Sequence, residues 1–126
     1  MIKLDMIGLV VKDLAASRAF YGELGCTFSE DDGPYIEAVL PGGMRLSLNA
    51  ESMARELDAD WVKPVGQGIG LAFLCDSPEH VDAVFGRLVA LGHSAKKEPW
   101  DAFWGQRYAQ ICDPDGYVVD VFAPLE

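Results

Sequence analysis

The stretch "CDPDGYVVDVFAPLE" (residues 112–126) reads as a tight turn, Asp113-Pro114-Asp115-Gly116, opening into an alternating strand. The preceding piece, "QRYAQIC" (106–112), alternates in the same way, so the two form a hairpin around the glycine turn. The phrase is written twice. "PYIEAVL" (34–40) and "MRLSLNA" (44–50) flank Pro41-Gly42-Gly43 in the same arrangement.

Working outward, the segments before the hairpins repeat as well. "IGLVVKDLAASRAFYGELGCTFSE" (7–30) matches "IGLAFLCDSPEHVDAVFGRLVALGHSAKKE" (69–98): strand, Asp-containing turn, amphipathic helix, Leu-Gly, second extended piece. Apolar spacing marks the helices, with Leu14, Ser17, Phe20, Tyr21 and Leu24 on one and Val81, Val84, Phe85, Leu88 and Leu91 on the other. Asp13 and Asp76 stand near the helix starts, and Ser77-Pro78-Glu79 supplies a cap with proline in the first helical position. Gly25 and Gly92 sit where left-handed C-terminal caps belong. Each half is therefore predicted to be βαβββ. The expectation is one α+β domain over 1–126, with module one at 1–50, a linker with a short helical piece at 51–67, and module two at 68–126. One such module leaves a sheet face bare. Pairing the bare faces gives a curved sheet or half-barrel cleft, the default place for a ligand.

Strand alternation sorts the side chains. Ala109, Ile111, Val119 and Val121 belong against the second helix, and Leu46 and Leu48 against the first. Gln106, Tyr108, Gln110, Val118, Asp120 and Phe122 then point to the bare face of module two, joined by Gly70, Ala72 and Leu74. In module one that face carries Arg45, Ser47, Asn49, Tyr35 and Glu37, with Met6, Gly8 and Val10. "EPWDAFWGQR" (98–107) reads as a loop bringing Trp100, Phe103 and Trp104 to the cleft, and Trp61 lies in the linker. Such tryptophans either seal a core or dimer contact, or stack on a flat ligand.

Composition bounds the rest. Half the 126 residues are hydrophobic and 24% are charged, a globular balance. A net charge of −10 argues against nucleic acid, whose phosphates need clustered Lys and Arg. No apolar run approaches the ~18–20 residues that span a bilayer, so no membrane partner is expected. "MIKLDMIGLVVKDL" (1–14) has the character of a first strand rather than a signal peptide. Cys26, Cys75 and Cys112 are odd in number and form no CxxC, which suits reduced, buried thiols in the cytoplasm.

The duplicated unit, "IGLVVKDLAASRAFYGELG" and "PWDAFWGQRYAQICDPDGYVVDVFAPL" together resemble the vicinal oxygen chelate superfamily of glyoxalases, extradiol dioxygenases, and fosfomycin- and bleomycin-resistance proteins. Enzymes of that family typically hold a divalent metal through His or Glu on four strands. Carried over residue by residue, the His before the first Asp turn is Met6, and the carboxylate after the first glycine turn is Ser47. The His opening module two is Gly70, and the final Glu is Asp120. Only Asp120 is an ordinary metal ligand. His80 and His93 fall in and after the second helix, away from the cleft face. The resemblance thus implies the metal-free, bleomycin-resistance-like branch: no cofactor, a homodimer, and an aromatic or cationic antibiotic-like ligand. Trp61, Trp100, Phe103, Trp104, Tyr108 and Tyr35 would give stacking area, and Glu37, Arg45, Ser47, Asp120, Gln106 and Gln110 polar contacts. The alternative is a glyoxalase-like lyase or isomerase, with Arg45 anchoring a carboxylate and Glu37 or Asp120 as base.

Overall fold

In the computed structural model, residues 1–30 and 33–126 are described. In chain order the elements are β1 (Met6–Val11), α1 (Leu14–Glu23), β2 (Tyr35–Val39), β3 (Arg45–Ala50), α2 (Glu51–Leu57), β4 (Leu71–Leu74), α3 (Pro78–Ala90), β5 (Ala95–Ala102), β6 (Gln106–Cys112) and β7 (Val118–Pro124). They divide into two compact units, Met1–Lys63 and Pro64–Glu126.

The helix-boundary residues act as their positions predict. Asp13 caps α1 by accepting the Ala16 N–H, and Ser77 caps α3 by accepting the His80 N–H, with Pro78 in the first turn. At the other end Gly25 (φ 91°) and Gly92 (φ 100°) turn left-handed. There the Cys26 N–H bonds to Tyr21 O and the His93 N–H to Leu88 O, the long bond of a Schellman stop in both helices. Leu91, expected on the apolar stripe, is instead the exposed C-cap of α3, because the helix ends one residue before it.

In the first unit β3 lies between β1, parallel to it, and β2, antiparallel. Helix α1 packs on β3 and buries Phe20 and Tyr21, while Leu46, Leu48, Ile36 and Val11 close the core from the sheet. Helix α2 packs on β3 and β1. Among the described residues, the fourth strand expected here is reduced to one bridge, Phe28 to Ala38. Residues 26–34 are a shorter run than their counterparts 93–105 and carry Gly33-Pro34, which disfavours a ladder.

The second unit has all four strands, in the order β4-β7-β6-β5 with β4 parallel to β7. Helix α3 covers one face, burying Val81, Phe85 and Leu88 against Ala109, Ile111, Val119 and Val121. The Arg107 guanidinium joins the layers, holding both carboxylate oxygens of Asp82 on α3 and one of Asp101 on β5. Both hairpins close alike. The Gly43 N–H bonds to Leu40 O and the Leu40 N–H to Met44 O, and Gly116, Asp113 and Tyr117 repeat the pattern.

Cys26 and Cys75 are buried and free as expected, while Cys112 is half-buried. Burial lifts the Cys26 thiol to about 11 and raises that of Cys75, so both stay protonated. Among the described residues no helix is long and apolar enough to cross a membrane.

Truncating Leu48 or Leu88 to Ala, each fully buried, is expected to cost about 2–5 kcal/mol in urea unfolding. Val65→Ala, at a fully exposed position, should stay within about 0.5 kcal/mol.

Candidate functional site

Register decides which side chains escape the helices. Glu37 is the cross-strand partner of Ser47, and Gln110 of Asp120. Each pair sits on the sheet face opposite its helix, two residues along from a tyrosine, Tyr35 or Tyr108. In the first unit the Tyr35 hydroxyl donates to Glu37, and in the second the Gln110 amide bridges Tyr108 and Asp120, donating to both. The carboxylate has changed strand between the copies while the tyrosine–carboxylate couple is kept.

On the first face the network is closed. Arg45 donates to Glu37 Oε2 at 2.8 Å and to Asp5 Oδ2 at 2.6 Å. Hydrogen bonds from Tyr35 and then Arg45 hold the Glu37 carboxyl below its usual range, and Asp5 and Glu37 hold the Arg45 guanidinium protonated. The bond to Glu37 also raises the Tyr35 hydroxyl. Ser47 is completely buried, receiving the Asn49 amide at 3.1 Å. Gly8 makes room for them, since a Cβ there would meet Ser47 Oγ at 3.0 Å and Asn49 Nδ2 at 3.1 Å. Ser47, expected to face a ligand, therefore supports its neighbours instead. Trp61 belongs to this unit, with the Arg55 guanidinium 5.1 Å from its ring centroid.

The second face is more open. Gln110 Nε2 donates to Asp120 Oδ1 at 2.9 Å and to the Tyr108 oxygen at 3.1 Å. Desolvation first, and Asp120 second, push the Tyr108 hydroxyl up to about 12, so it remains a donor. A groove of about 320 Å³ runs beside them, lined by Gln67, Gly68, Ile69, Gly70, Lys96, Gln110, Val118 and Asp120. The Gln67 amide builds its far wall. It donates to Ile69 O and Val118 O and accepts the Val118 N–H, tying the approach to β4 onto β7.

At the turn end of the hairpin, Trp104 makes edge-on contacts with Phe103, Tyr108 and Trp100 at 5.0, 5.2 and 5.5 Å between centroids. Its Nε1 donates to Gln106 Oε1 at 2.8 Å. Phe103 is 90% exposed and Trp104 47%. Trp100 is not in a loop, as expected, but on β5 opposite Tyr108, with Lys97 Nζ 5.0 Å from its ring centroid. Alternating strand character in "AKKEPWDA" is hidden by two register shifts, between Ala95 and Lys97 and between Lys97 and Trp100. These turn Lys96 and Lys97 toward the open face, and sequence reasoning missed both. Pro99, tolerated only on an edge or at a bulge, was the available signal.

The family metal does not fit these residues. Met6 Sδ lies 3.2 Å from the Tyr35 hydroxyl, Ser47 is buried and bonded, and Gly70 has no donor, which leaves Asp120 as the one carboxylate among the four. One thioether, one hydroxyl and one carboxylate are a poor donor set for zinc, nickel, iron or manganese. Among the described residues no three His, Cys, Asp or Glu side chains converge. His80 is exposed on α3 and accepts the Asp76 N–H, and His93 follows its C-terminal stop.

The profile of the Glyoxalase/Bleomycin resistance protein/Dioxygenase superfamily matches residues 3–121. Among solved structures, a glyoxalase/bleomycin resistance protein/dioxygenase family enzyme from Burkholderia phytofirmans PsJN superposes with a TM-score of 0.86 at 24% identity, over 98% of this chain and 100% of that one. A glyoxalase-related enzyme from Fulvimarina pelagi gives 0.85 at 23% identity, over 98% and 88%. A glyoxalase/bleomycin resistance protein/dioxygenase from Nocardioides gives 0.77 at 29% identity, over 100% and 85%. Comparison with curated proteins gives no match.

Tyr108 offers a direct check of the second face. Its folded value of about 12 lies above the ordinary 10, so its contribution to stability is complete below pH 10 and is lost as pH rises through 12. Phenolate absorbance should report that late titration. Asp120→Asn should bring it part of the way back, since burial remains.

Proposed function

The chain belongs to the glyoxalase/bleomycin resistance protein/dioxygenase superfamily, and from that premise we propose that it is a metal-independent small-molecule-binding member. It sequesters an aromatic or cationic, antibiotic-like ligand in the manner of bleomycin-resistance proteins. One observation carries the reading: Tyr108 belongs to two structures at once. Its ring packs against Trp104, and its hydroxyl shares the Gln110 amide with Asp120. A ligand ring resting on the exposed Trp104 and Phe103 therefore lies next to a fixed carboxylate on the same face. Ring contacts are worth about 0.5–1.5 kcal/mol each beyond burial, and a nearby cation adds to them.

The lyase or isomerase reading needs a free anchor and a free base. Its anchor, Arg45, is already held by two carboxylates, and Glu37, one of its two candidate bases beside Asp120, is bonded by Tyr35 and Arg45. Using either would break those bonds first, so the binding reading is preferred. It also has the protein acting in the cytoplasm as a homodimer with its thiols reduced, and sedimentation at micromolar concentration should give twice the monomer mass.

Intrinsic tryptophan fluorescence titrated with glycopeptide, mitomycin-type and anthraquinone compounds tests the proposal. At least one class should quench saturably, and Trp104→Ala should weaken that ligand about tenfold. A folded protein whose emission responds to none of them would defeat it.

A further inference from the structure

The open face of the second unit carries both signs of charge. Lys96 and Asp120 line the same groove of about 320 Å³, yet no ion pair joins them. Arg45, Arg55, Lys63 and Arg107 all hold carboxylates, whereas Lys96 has no such partner among the described residues. The register shift between Ala95 and Lys97 sets Lys97, and not Lys96, opposite Gln110, while Lys96 lines the groove. Bulges re-aim side chains in this way beside functional sites. Asp120 is oriented by the amide of Gln110. Both bonds made by Gln110 use Nε2, which leaves its Oε1 as a second acceptor beside the carboxylate. An ammonium suits that corner, and an anion suits Lys96.

A volume of about 320 Å³ admits a small occupant. A Cβ added at Gly68 or Gly70 would meet nothing within 4 Å, so the space above both glycines is open. Two residues along β6 from Gln110, roughly 7 Å at the usual strand rise, Tyr108 begins the aromatic cluster with Trp104 and Trp100. Reading the three features together, we propose that this groove selects an aromatic zwitterion of arylalanine size. Its ammonium meets Asp120 and Gln110, its carboxylate meets Lys96, and its ring reaches Tyr108 and Trp104. The inference rests on the small-molecule-binding reading and specifies the ligand class for it.

Calorimetric titration of the full chain with L-phenylalanine, phenethylamine and 3-phenylpropanoate tests it, because the three share a ring and differ only in charge. L-phenylalanine should bind at least about tenfold tighter than either singly charged compound, the usual effect of losing a charged hydrogen bond. Lys96→Met should reduce L-phenylalanine to the level of phenethylamine and leave phenethylamine unchanged. Asp120→Asn should reduce it to the level of 3-phenylpropanoate. Gly70 is not in the left-handed region, so Gly70→Leu should keep the native circular dichroism while blocking all three probes. Phenethylamine binding as tightly as L-phenylalanine, unaffected by Lys96→Met, would overturn the zwitterion inference and leave aromatic binding standing. So would silence from all three probes while a larger aromatic compound still quenches tryptophan. Silence from every aromatic compound would remove both.

Discussion

Hairpin register is the constraint on which the remaining features depend. In each unit a three-residue turn with a left-handed glycine, Gly43 or Gly116, fixes which residues of the two flanking strands face each other. Slippage by one residue would reverse every side chain. Asp120 and Gln110 would then lie beneath α3, and Val119, Val121 and Ile111 would be turned to the open face. The buried carboxylate of Asp113 strengthens the second turn, accepting the N–H groups of both Asp115 and Tyr117. Without that clamp, a strand of valines and a phenylalanine would have less to pin it.

Features governed by local chemistry were legible in the chain. Caps at Asp13 and Ser77, stops at Gly25 and Gly92, both glycine turns and the helix-facing residues follow from positions with one physically favoured conformation. Long-range consequences were less visible. Ser47 has the facing that alternation predicts, but it is enclosed by Asn49 and the tight approach of β1 at Gly8. Arg45 looked like a free cation because Asp5 is forty residues away in sequence and meets it only through the parallel pairing of β1 with β3. Trp100 and the two lysines before it were hidden by bulges, which break the period-two pattern that reveals strands. Among the described residues, the reduction of the fourth strand in the first unit to a single bridge is a length effect, since the segment before β2 is shorter than its counterpart and carries Gly-Pro.

The two faces illustrate how one duplicated plan diverges. The tyrosine–carboxylate couple recurs, but in the first unit an arginine and a second acid close it into a network with little unmet capacity. In the second the carboxylate is held by neutral donors and borders a groove, with a lysine and a ring cluster within reach. Desolvation raises the Tyr108 hydroxyl and keeps it protonated.

Independence from metal is where this account is most directly exposed. Calorimetry of the chelator-treated protein with zinc, nickel, manganese and iron(II) salts should give no stoichiometric binding, and the affinity for a quenching aromatic ligand should be the same with and without chelator. A one-to-one metal complex, with ligand binding lost on chelation and restored by the ion, would contradict it.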